Sequence, residues 1–445
     1  MSRKLFGTDG IRGRVGEYPM TAEFALRLAS AAGHVLAPGG GKVLIGKDTR
    51  VSGYMFESAL EAGFVAAGMD VLLVGPLPTP GIAYLTRTLG ANVGVVISAS
   101  HNPYEDNGIK FFDANGGKLS DAIEAAIEAR LSEPAVTRES GSLGRAKRVE
   151  NALDTYQAFC ISTVPRELRL DGLKIVIDCS HGAAYKVAPR VLSELGAEIV
   201  PIGCSPNGRN INDSCGSTQP ELLQLTTQGV RADLGIALDG DGDRVLMVDH
   251  NGQLVDGDQL LWVLASAWHR SAQLVGPVIG TLMSNLGLEN GLKDLGVEFR
   301  RARVGDRYVL ELLRETGGRL GGETSGHLIC LDKTTTGDGL VSALQVLCVI
   351  KQSGRTLAEL VAGMARYPQK LVNVRVRHQI DLKNALPIQS AVTRAEQQLG
   401  TRGRIVLRAS GTEPVVRVMV EGQDHVEVER LADEIAASIR GMAAG

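Results

Sequence analysis

Short apolar runs alternate along the chain with longer segments in which apolar residues recur every three or four positions. The short runs predict strands at 42–46, 71–75, 92–98, 174–179, 198–203, 234–239 and 278–282. The periodic segments predict helices, for example at 21–36, 52–67 and 188–195. Repeated strand–helix units indicate parallel or mixed sheets covered by helices, so the predicted fold class is α/β.

Composition shifts divide the chain. With 445 residues it is too long for one core, and domains of about 100 to 150 residues are expected. The charged stretch 138–150, the segment 249–258 and the dipeptide Tyr367-Pro368 are candidate boundaries. Beyond the last of these, predicted strands at 371–377, 404–407 and 415–421 and a helix at 426–440 indicate an α+β unit.

Composition narrows the function classes. A hydrophobic content of 44% with 4% aromatic residues and 54 glycines fits soluble α/β layers. The net charge of −3 argues against nucleic-acid binding, so any phosphate must be bound by locally placed cations. The N-terminus lacks a signal peptide, and no window approaches the ~20 apolar residues of a membrane span. Six cysteines without a Cys-x-x-Cys pair indicate free thiols in a reducing cytoplasm.

Ser100 follows the predicted strand 92–98 and precedes His101, Asn102 and Pro103. The carboxyl end of a strand opens into the crevice where α/β sheets bind ligands, and the proline ends the strand. Ser100 is therefore a candidate nucleophile, with an ordinary Ser/Asn-rich turn as the alternative. Adjacency alone does not make Ser100 and His101 a hydrolase dyad, because neighbouring side chains on an extended segment point to opposite faces.

Asp239, Asp241 and Asp243 alternate with glycines directly after the apolar run 234–238. Glycine permits the tight backbone that lets the carboxylates converge on one hard cation, Mg²⁺ or Ca²⁺. An EF-hand is excluded because Arg244 and His250 occupy the positions that require Gly and Glu. A solvated acidic turn is the alternative, although unpaired carboxylates this close repel one another.

Two further segments suit a phosphorylated, hydroxyl-rich ligand. The segment 408–414, Arg-Ala-Ser-Gly-Thr-Glu-Pro, and Arg417 on the next strand could hold an oxyanion, although a hairpin loop with solvated arginines is the commoner meaning. In the segment 321–327, Glu323, Ser325 and His327 share one face of an extended chain. The near P-loop at 41–48 is rejected, because its middle is an apolar strand and Asp48 replaces the Mg²⁺-binding hydroxyl.

Together and in this order, these segments resemble the α-D-phosphohexomutase superfamily, as do the loop 304–308, Val-Gly-Asp-Arg-Tyr, and the opening Phe-Gly-Thr-Asp-Gly-Ile-Arg-Gly at 6–13. The opening is similar to that of the branch acting on amino sugars. Thr324 fills a variable slot and Ala409 replaces a frequent proline, which leaves fine substrate preference open. The resemblance implies three α/β domains with mixed sheets, at 1–150, 151–250 and 251–367, and a smaller C-terminal α+β domain at 368–445, around a central cleft.

The resemblance also implies the reaction. A phosphorylated Ser100 would convert glucosamine 6-phosphate into a 1,6-bisphosphate and, after the sugar reorients, release glucosamine 1-phosphate for UDP-N-acetylglucosamine and cell-wall precursor synthesis. One Mg²⁺ per chain and a hexosamine 1,6-bisphosphate primer are implied. The implied partner is a small phosphosugar, without nucleic acid or membrane, in a cytoplasmic protein for which a homodimer is the candidate assembly.

Site roles follow from the same resemblance. The implied catalytic groups are Ser100, Lys110, Arg12, His101 and His327. Lys110 is favoured as the acid/base, because an amine near a cation can have a depressed pKa, and His327 is the alternative for this role. Asp239, Asp241, Asp243 and Ser100 would bind the metal, and Arg244 would stabilise transition-state charge. The implied substrate-binding residues are Arg307, Glu323, Ser325, His327, Arg408, Ser410, Gly411, Thr412 and Arg417.

Two rival functions remain at this stage. A phosphomannomutase or phosphoglucomutase would use the same chemistry on a neutral hexose. An inactive phosphosugar-binding protein is disfavoured by the full set of candidate catalytic groups.

Overall fold

A computed structural model describes residues 5–7, 9–376, 381–382, 384–409 and 415–444. Its strands and helices occur where the apolar patterns predict them, with ends that differ by a few residues. The predicted strand 42–46, for example, is the observed strand Gly41–Lys47. The elements form three mixed α/β sheets and one smaller antiparallel sheet. The predicted fold class is confirmed.

The first sheet contains six strands in the order β1-β5-β4-β2-β3-β6. Strands β2, β3, β4 and β6 run parallel, whereas β5 is antiparallel to both β4 and β1. Its strands are β1 (Ile11–Arg14), β2 (Gly41–Lys47), β3 (Met69–Pro76), β4 (Val93–Ile97), β5 (Asp106–Asp113) and β6 (Ala146–Arg148), and the helices of this region are α1 (Ala22–Leu36), α2 (Ser52–Ala66), α3 (Thr79–Thr88) and α4 (Asp121–Arg130).

The second sheet has the order β11-β10-β9-β7-β8, in which β7, β8 and β9 are parallel and β10 is antiparallel. Its strands are β7 (Lys174–Asp178), β8 (Glu198–Ile202), β9 (Leu234–Leu238), β10 (Val245–Asp249) and β11 (Leu254–Val255), and its helices are α5 (Ala152–Ser162), α6 (Val187–Glu194) and α7 (Glu221–Gly229). This sheet extends past residue 250, and the boundaries drawn from composition stay predictions.

The third sheet has the order β13-β12-β14-β15, with only the last pair antiparallel. Its strands are β12 (Val278–Thr281), β13 (Phe299–Ala302), β14 (Leu320–Gly322) and β15 (Leu328–Cys330), and the helices are α8 (Gly257–Arg270), α9 (Leu286–Asp294), α10 (Asp306–Thr316), α11 (Gly339–Ser353) and α12 (Leu357–Val361).

The last sheet places β18 between β16 and β17. Its elements are β16 (Gln369–Arg375), α13 (Leu386–Leu399), β17 (Gly403–Ala409), β18 (Val415–Gly422) and α14 (His425–Ala444). It has a separate apolar core, whereas the largest core is shared by the first three sheets. That shared packing positions the loops at the carboxyl ends of β4 and β9 against each other. No helix in the described ranges is long and apolar enough to span a bilayer.

Candidate active site

Ser100 lies in the loop that follows β4, and its side chain faces the loop that follows β9. Its backbone has a φ of 55°, a left-handed conformation that is uncommon for a serine and worth a functional explanation. The buried hydroxyl donates a hydrogen bond of 2.7 Å to Asp239 Oδ2. The turn therefore aims Ser100 at the acidic loop predicted to bind metal.

A set of buried side chains that the sequence did not single out holds this turn. The Arg50 guanidinium donates to the carbonyls of Ser100 (3.0 Å) and Asn102 (2.8 Å). Asn212, from the second sheet, also donates to the Ser100 carbonyl, at 2.9 Å. Ser98 accepts from Ser100 N–H and donates to Asp48 Oδ2, so its hydroxyl is occupied within the first sheet. Of the two serines, Ser100 is the one directed at the acidic loop.

Asp239, Asp241 and Asp243 converge after β9. All three are buried, and one ligand oxygen from each lies within 4.8 Å of the others. Burial, followed by repulsion from Asp243 and Asp241, raises the pKa of Asp239 well above its ordinary value. Asp241 Oδ1 and Asp243 Oδ1 are buried without a hydrogen-bond partner. Carboxylate oxygens held in this way fit a hard divalent cation, because the cation would supply the missing partner.

Lys110, on β5, joins this acidic loop to the N-terminal loop. Its ammonium lies 2.8 Å from both Asp241 Oδ2 and Asp9 Oδ2. Burial alone would lower the pKa of Lys110, but the carboxylates of Asp241 and Asp9 outweigh it and raise that pKa. The expectation of a depressed pKa at Lys110 is wrong, since the fold surrounds the amine with anions. Lys110 is therefore an ammonium at neutral pH.

Lys118 is a second, partly buried cation, and sequence reasoning missed it. Its ammonium bridges Asp9 Oδ1 in the first domain (2.8 Å) and Asp306 Oδ2 in the third (2.5 Å). Asp306 in turn lies 3.5 Å from His327 Nε2. Asp9 and Asp306 belong to recognised loops. Their pairing with Lys118 joins distant parts of the chain, so it leaves no local signal in the sequence.

The two candidate histidines have opposite charge states. Burial opposes the charged form of His327, but Asp243, Asp306 and Glu323 raise its pKa to about 9. Burial, helped by Arg244 and Arg12, lowers the pKa of His101 to about 4. At neutral pH His327 is thus cationic and His101 neutral.

His101 lies closer to Ser100 than the sequence argument allowed. Its Nδ1 is 3.4 Å from Ser100 Oγ, at the long end of the hydrogen-bond range. The premise of opposite faces is wrong, because the left-handed backbone of Ser100 ends the extended segment.

A cavity of about 390 Å³ opens beside these groups. Buried polar atoms without a hydrogen-bond partner, Arg12 Nε, Arg244 Nε and Asp243 Oδ1, belong to residues that line it. Glu323 also lines it, with Oε1 accepting from Gly305 N–H at 2.9 Å. Arg244 Nε and Asp243 Oδ1 lie 3.9 Å apart, too far for a hydrogen bond. Buried polar atoms without hydrogen bonds are costly unless a polar ligand satisfies them, which marks the cavity as a candidate binding site.

Four predicted substrate-binding residues within the described ranges do not line this cavity: Arg307, Ser325, Arg408 and Arg417. Arg307 is buried and turned toward α4, where it donates to the Leu119 carbonyl and pairs with Asp121 at 2.7 Å. Ser325 is exposed. Arg408 and Arg417 face each other across β17 and β18 in the last domain. Ser410, Gly411 and Thr412 lie outside the described residues.

A serine aimed at a buried trio of carboxylates, in a cleft shared by three mixed α/β domains, is the arrangement expected of a phosphohexomutase. Family models of phosphoglucomutase/phosphomannomutase match the chain in series: α/β/α domain I at 3–137, domain II at 154–252, domain III at 256–367 and the C-terminal domain at 371–438. The chain belongs to the phosphoglucomutase/phosphomannomutase family, and the predicted superfamily is confirmed.

Individual relatives cover the whole chain. The phosphoglucosamine mutase of Methylococcus capsulatus is 58% identical over 441 residues, 99% of both chains. A solved phosphoglucomutase/phosphomannomutase family protein from Burkholderia thailandensis is 25% identical, with a TM-score of 0.82 over 99% of this chain and 98% of that one. The N-acetylphosphoglucosamine mutase of Aspergillus fumigatus, solved with GlcNAc-6P and magnesium, shares the fold at 19% identity and a TM-score of 0.69, over 99% of this chain and 96% of that one.

Proposed function

We propose that the protein interconverts glucosamine 6-phosphate and glucosamine 1-phosphate by shuttling a phosphoryl group through Ser100. The observation that carries this proposal is the 2.7 Å contact between Ser100 Oγ and the buried Asp239, beside a cavity with unpartnered cationic and anionic atoms. The 58% identity to a phosphoglucosamine mutase over 99% of the chain supports the amino sugar as substrate.

The reaction is a phosphate migration without net hydrolysis. The phosphoryl group on Ser100 passes to the C1 hydroxyl oxygen of glucosamine 6-phosphate: its bond to Ser100 Oγ breaks, and a bond to O1 forms. The C1 hydroxyl loses a proton, and Ser100 regains one. After the bound 1,6-bisphosphate reorients, the 6-phosphoryl returns to Ser100 by the same exchange, and glucosamine 1-phosphate leaves.

Three ionisable side chains, Lys110, His327 and His101, are the candidates for proton transfer, and their surroundings determine their charge at neutral pH. Lys110 and His327 are cationic at neutral pH and suit proton donation or the stabilisation of phosphoryl charge. Neutral His101, with Nδ1 3.4 Å from Ser100 Oγ, suits proton acceptance. The Arg12 and Arg244 guanidiniums line the cavity and suit the equatorial oxygens of the transferred group.

Asp239, Asp241, Asp243 and the oxygen on Ser100 would hold one Mg²⁺. When bound, this ion would neutralise charge that develops on the transferred group, the main need of such transfers. The unpartnered Oδ1 atoms of Asp241 and Asp243 support this assignment. The remaining roles are positioning: Glu323 and Ser325 would bind sugar hydroxyls, and Arg408, Ser410, Gly411, Thr412 and Arg417 the phosphate that is not reacting.

Priming tests the mechanism. A verified dephospho enzyme should be inactive with glucosamine 6-phosphate alone, and a catalytic amount of hexosamine 1,6-bisphosphate should restore turnover and add one phosphoryl mass. Ser100→Ala should neither accept the phosphoryl nor turn over, whereas the surface variant Ser132→Ala should do both. Peptide mapping that places the phosphate on Ser98, or full activity of the dephospho enzyme without primer, would overturn the proposal.

Rival functions are separated by substrate and by metal. Side-by-side assays of glucosamine, mannose and glucose 6-phosphates decide whether the enzyme prefers the amino sugar, and a chelator that leaves phosphosugar binding but stops turnover excludes the inactive binding protein. Operation in the cytoplasm, supply of UDP-N-acetylglucosamine and cell-wall precursor synthesis, and assembly as a homodimer are further parts of the proposal. Sedimentation of the purified protein tests the last.

A further inference from the structure

A pair of cysteines that the mechanism does not use lies at the carboxyl ends of β7 and β8. Cys179 directly follows β7, and Cys204 follows β8 by one intervening glycine. The two strands are parallel neighbours that pair Asp178 with Ile202, and adjacent strands lie roughly 4.8 Å apart. The Ile202 carbonyl accepts hydrogen bonds from the Cys204 thiol and from the Cys179 backbone N–H, each at 3.2 Å. The two cysteines therefore meet at one carbonyl, although they are distant in sequence.

The two thiols differ in exposure and in acidity. Cys204 is partly exposed, whereas Cys179 is buried. The neighbouring Cys179 thiol lowers the pKa of Cys204, and the Cys204 thiol together with burial raises the pKa of Cys179 well above its ordinary value. A more acidic, accessible thiol beside a protected one is the arrangement of an attacking and a resolving cysteine.

We propose that Cys204 and Cys179 form a peroxide-reactive dithiol that closes to a disulfide. The Cys204 thiolate attacks one oxygen of hydrogen peroxide, the O–O bond breaks, and the departing hydroxide takes up a proton to leave as water. The Cys179 sulfur then attacks the resulting sulfenic acid, loses its proton and expels a second water. The two thiols are oxidised by two electrons, and the peroxide is reduced to water; a cellular thiol reverses the change.

The disulfide would change the position of Ser100 through a short series of hydrogen bonds. Ser180, next to Cys179, has a φ of 55° and accepts a hydrogen bond from Asn212 N–H at 2.9 Å. Asn212 Nδ2 donates to the Ser100 carbonyl at 2.9 Å. Ser180 Oγ also donates to the carbonyl of Leu238, which precedes Asp239. A sulfur–sulfur bond of about 2.05 Å requires the two residues to move together, which would shift Asn212 at the Ser100 turn and the end of β9 before Asp239.

The reduced, primed enzyme is treated with hydrogen peroxide, followed by thiol blocking, peptide mapping and a mutase assay. We expect a Cys179–Cys204 disulfide and a fall in kcat of roughly tenfold to a hundredfold, because a shift of about 1 Å at a reacting group costs on that order. Dithiothreitol should restore both the thiols and the rate. Cys204→Ser should keep basal activity and resist peroxide, whereas the matched control Cys348→Ser should remain sensitive.

Disulfide mapping does not depend on activity, so it stands even if the proposed mutase reaction fails. A map that shows Cys204 only as sulfinic acid, or joined to the nearby Cys215, overturns the assigned pair. Equal peroxide inactivation of wild type and Cys204→Ser overturns the link to Ser100. Cys179→Ser replaces a buried thiol and could weaken folding. Its resistance to peroxide therefore supports the proposed pair only when its denaturation midpoint matches that of wild type.

Discussion

Arg307 connects the third domain to the first, and its replacement tests whether that connection supports catalysis. The residue lies in the first turn of α10 and is only 8% exposed. Its guanidinium donates to the Leu119 carbonyl, pairs with Asp121 at 2.7 Å and lies 3.4 Å from Glu124. Arg307→Met keeps much of the apolar length of the side chain but removes every one of these polar contacts.

The expected loss follows from the burial of each partner. The pair with Asp121 contributes little, about 0 to 1 kcal/mol, because that carboxylate is largely exposed. Glu124 is buried, and losing a buried partner costs on the order of 3 kcal/mol, while the bond to the Leu119 carbonyl is worth about 1.5 to 3 kcal/mol. Since such terms do not add, we expect about 3 kcal/mol, or roughly a hundredfold shift toward separation of the two domains.

Steady-state kinetics and hydrogen exchange together give the readout. Ser100 belongs to the first domain and His327 to the third, so loss of the contact between these domains should disturb their relative position. We therefore expect kcat to fall and the amide protection at 119–124 to decrease. Arg314→Met removes a charge from the exposed face of the same helix and serves as the control, with neither quantity changed. If Arg307→Met instead raises KM at least tenfold with kcat and exchange intact, Arg307 binds substrate and the argument for a domain contact is refuted.

Three other substitutions test separate parts of the site and fold. Asp241→Asn should lower turnover by a factor of roughly 10² or more with added Mg²⁺. Retention of more than a tenth of wild-type activity would contradict the assignment of Asp241 as a metal ligand. Arg417→Ala should raise KM roughly tenfold to a hundredfold, and unchanged KM and kcat would remove its loop from the site. Burial raises the pKa of Asp338 to about 6 in the folded protein, from an ordinary value of 3.8. The folded state therefore binds the proton more tightly, and this contribution to stability is fully present below pH 3.8 and is lost as pH rises through 6. Relative to wild type, Asp338→Asn should therefore gain about 2.4 kcal/mol of unfolding free energy between pH 4 and pH 7. An equal change of urea midpoint in the two proteins between these pH values would contradict this.

Sequence patterns predicted the elements and the loops because both are local properties. The runs before Ser100 and Asp239 are apolar on both faces, as buried strands are, and polar residues begin where each strand ends. Placing both residues at carboxyl ends of strands was therefore possible from the chain alone. That Ser100 Oγ would lie 2.7 Å from Asp239 required the packing of two domains.

Properties set by distant partners could not be predicted in the same way. The pKa of Lys110 depends on Asp9 and Asp241, which approach it from two other loops, and their charges reverse the expected direction. Arg307 belongs to a recognised loop, yet its partners lie on α4 of another domain. A motif identifies the residue types at a site, whereas the sign of a pKa shift and the partner of a guanidinium depend on the tertiary arrangement.

The balance of charge explains why a cation and a phosphate suit the same cavity. The carboxylates gathered there are Asp9, Asp239, Asp241, Asp243, Asp306 and Glu323, and the cationic groups are Arg12, Lys110, Lys118, Arg244 and His327. Without a metal these sets nearly cancel, so an entering phosphate meets little net attraction. A divalent cation on the acidic trio would make the net charge of the site positive, and a phosphate would then accept hydrogen bonds from Arg12 Nε and Arg244 Nε, which have no hydrogen-bond partner. Neutralising Asp241 by substitution would not reproduce this, because it removes a ligand together with the charge.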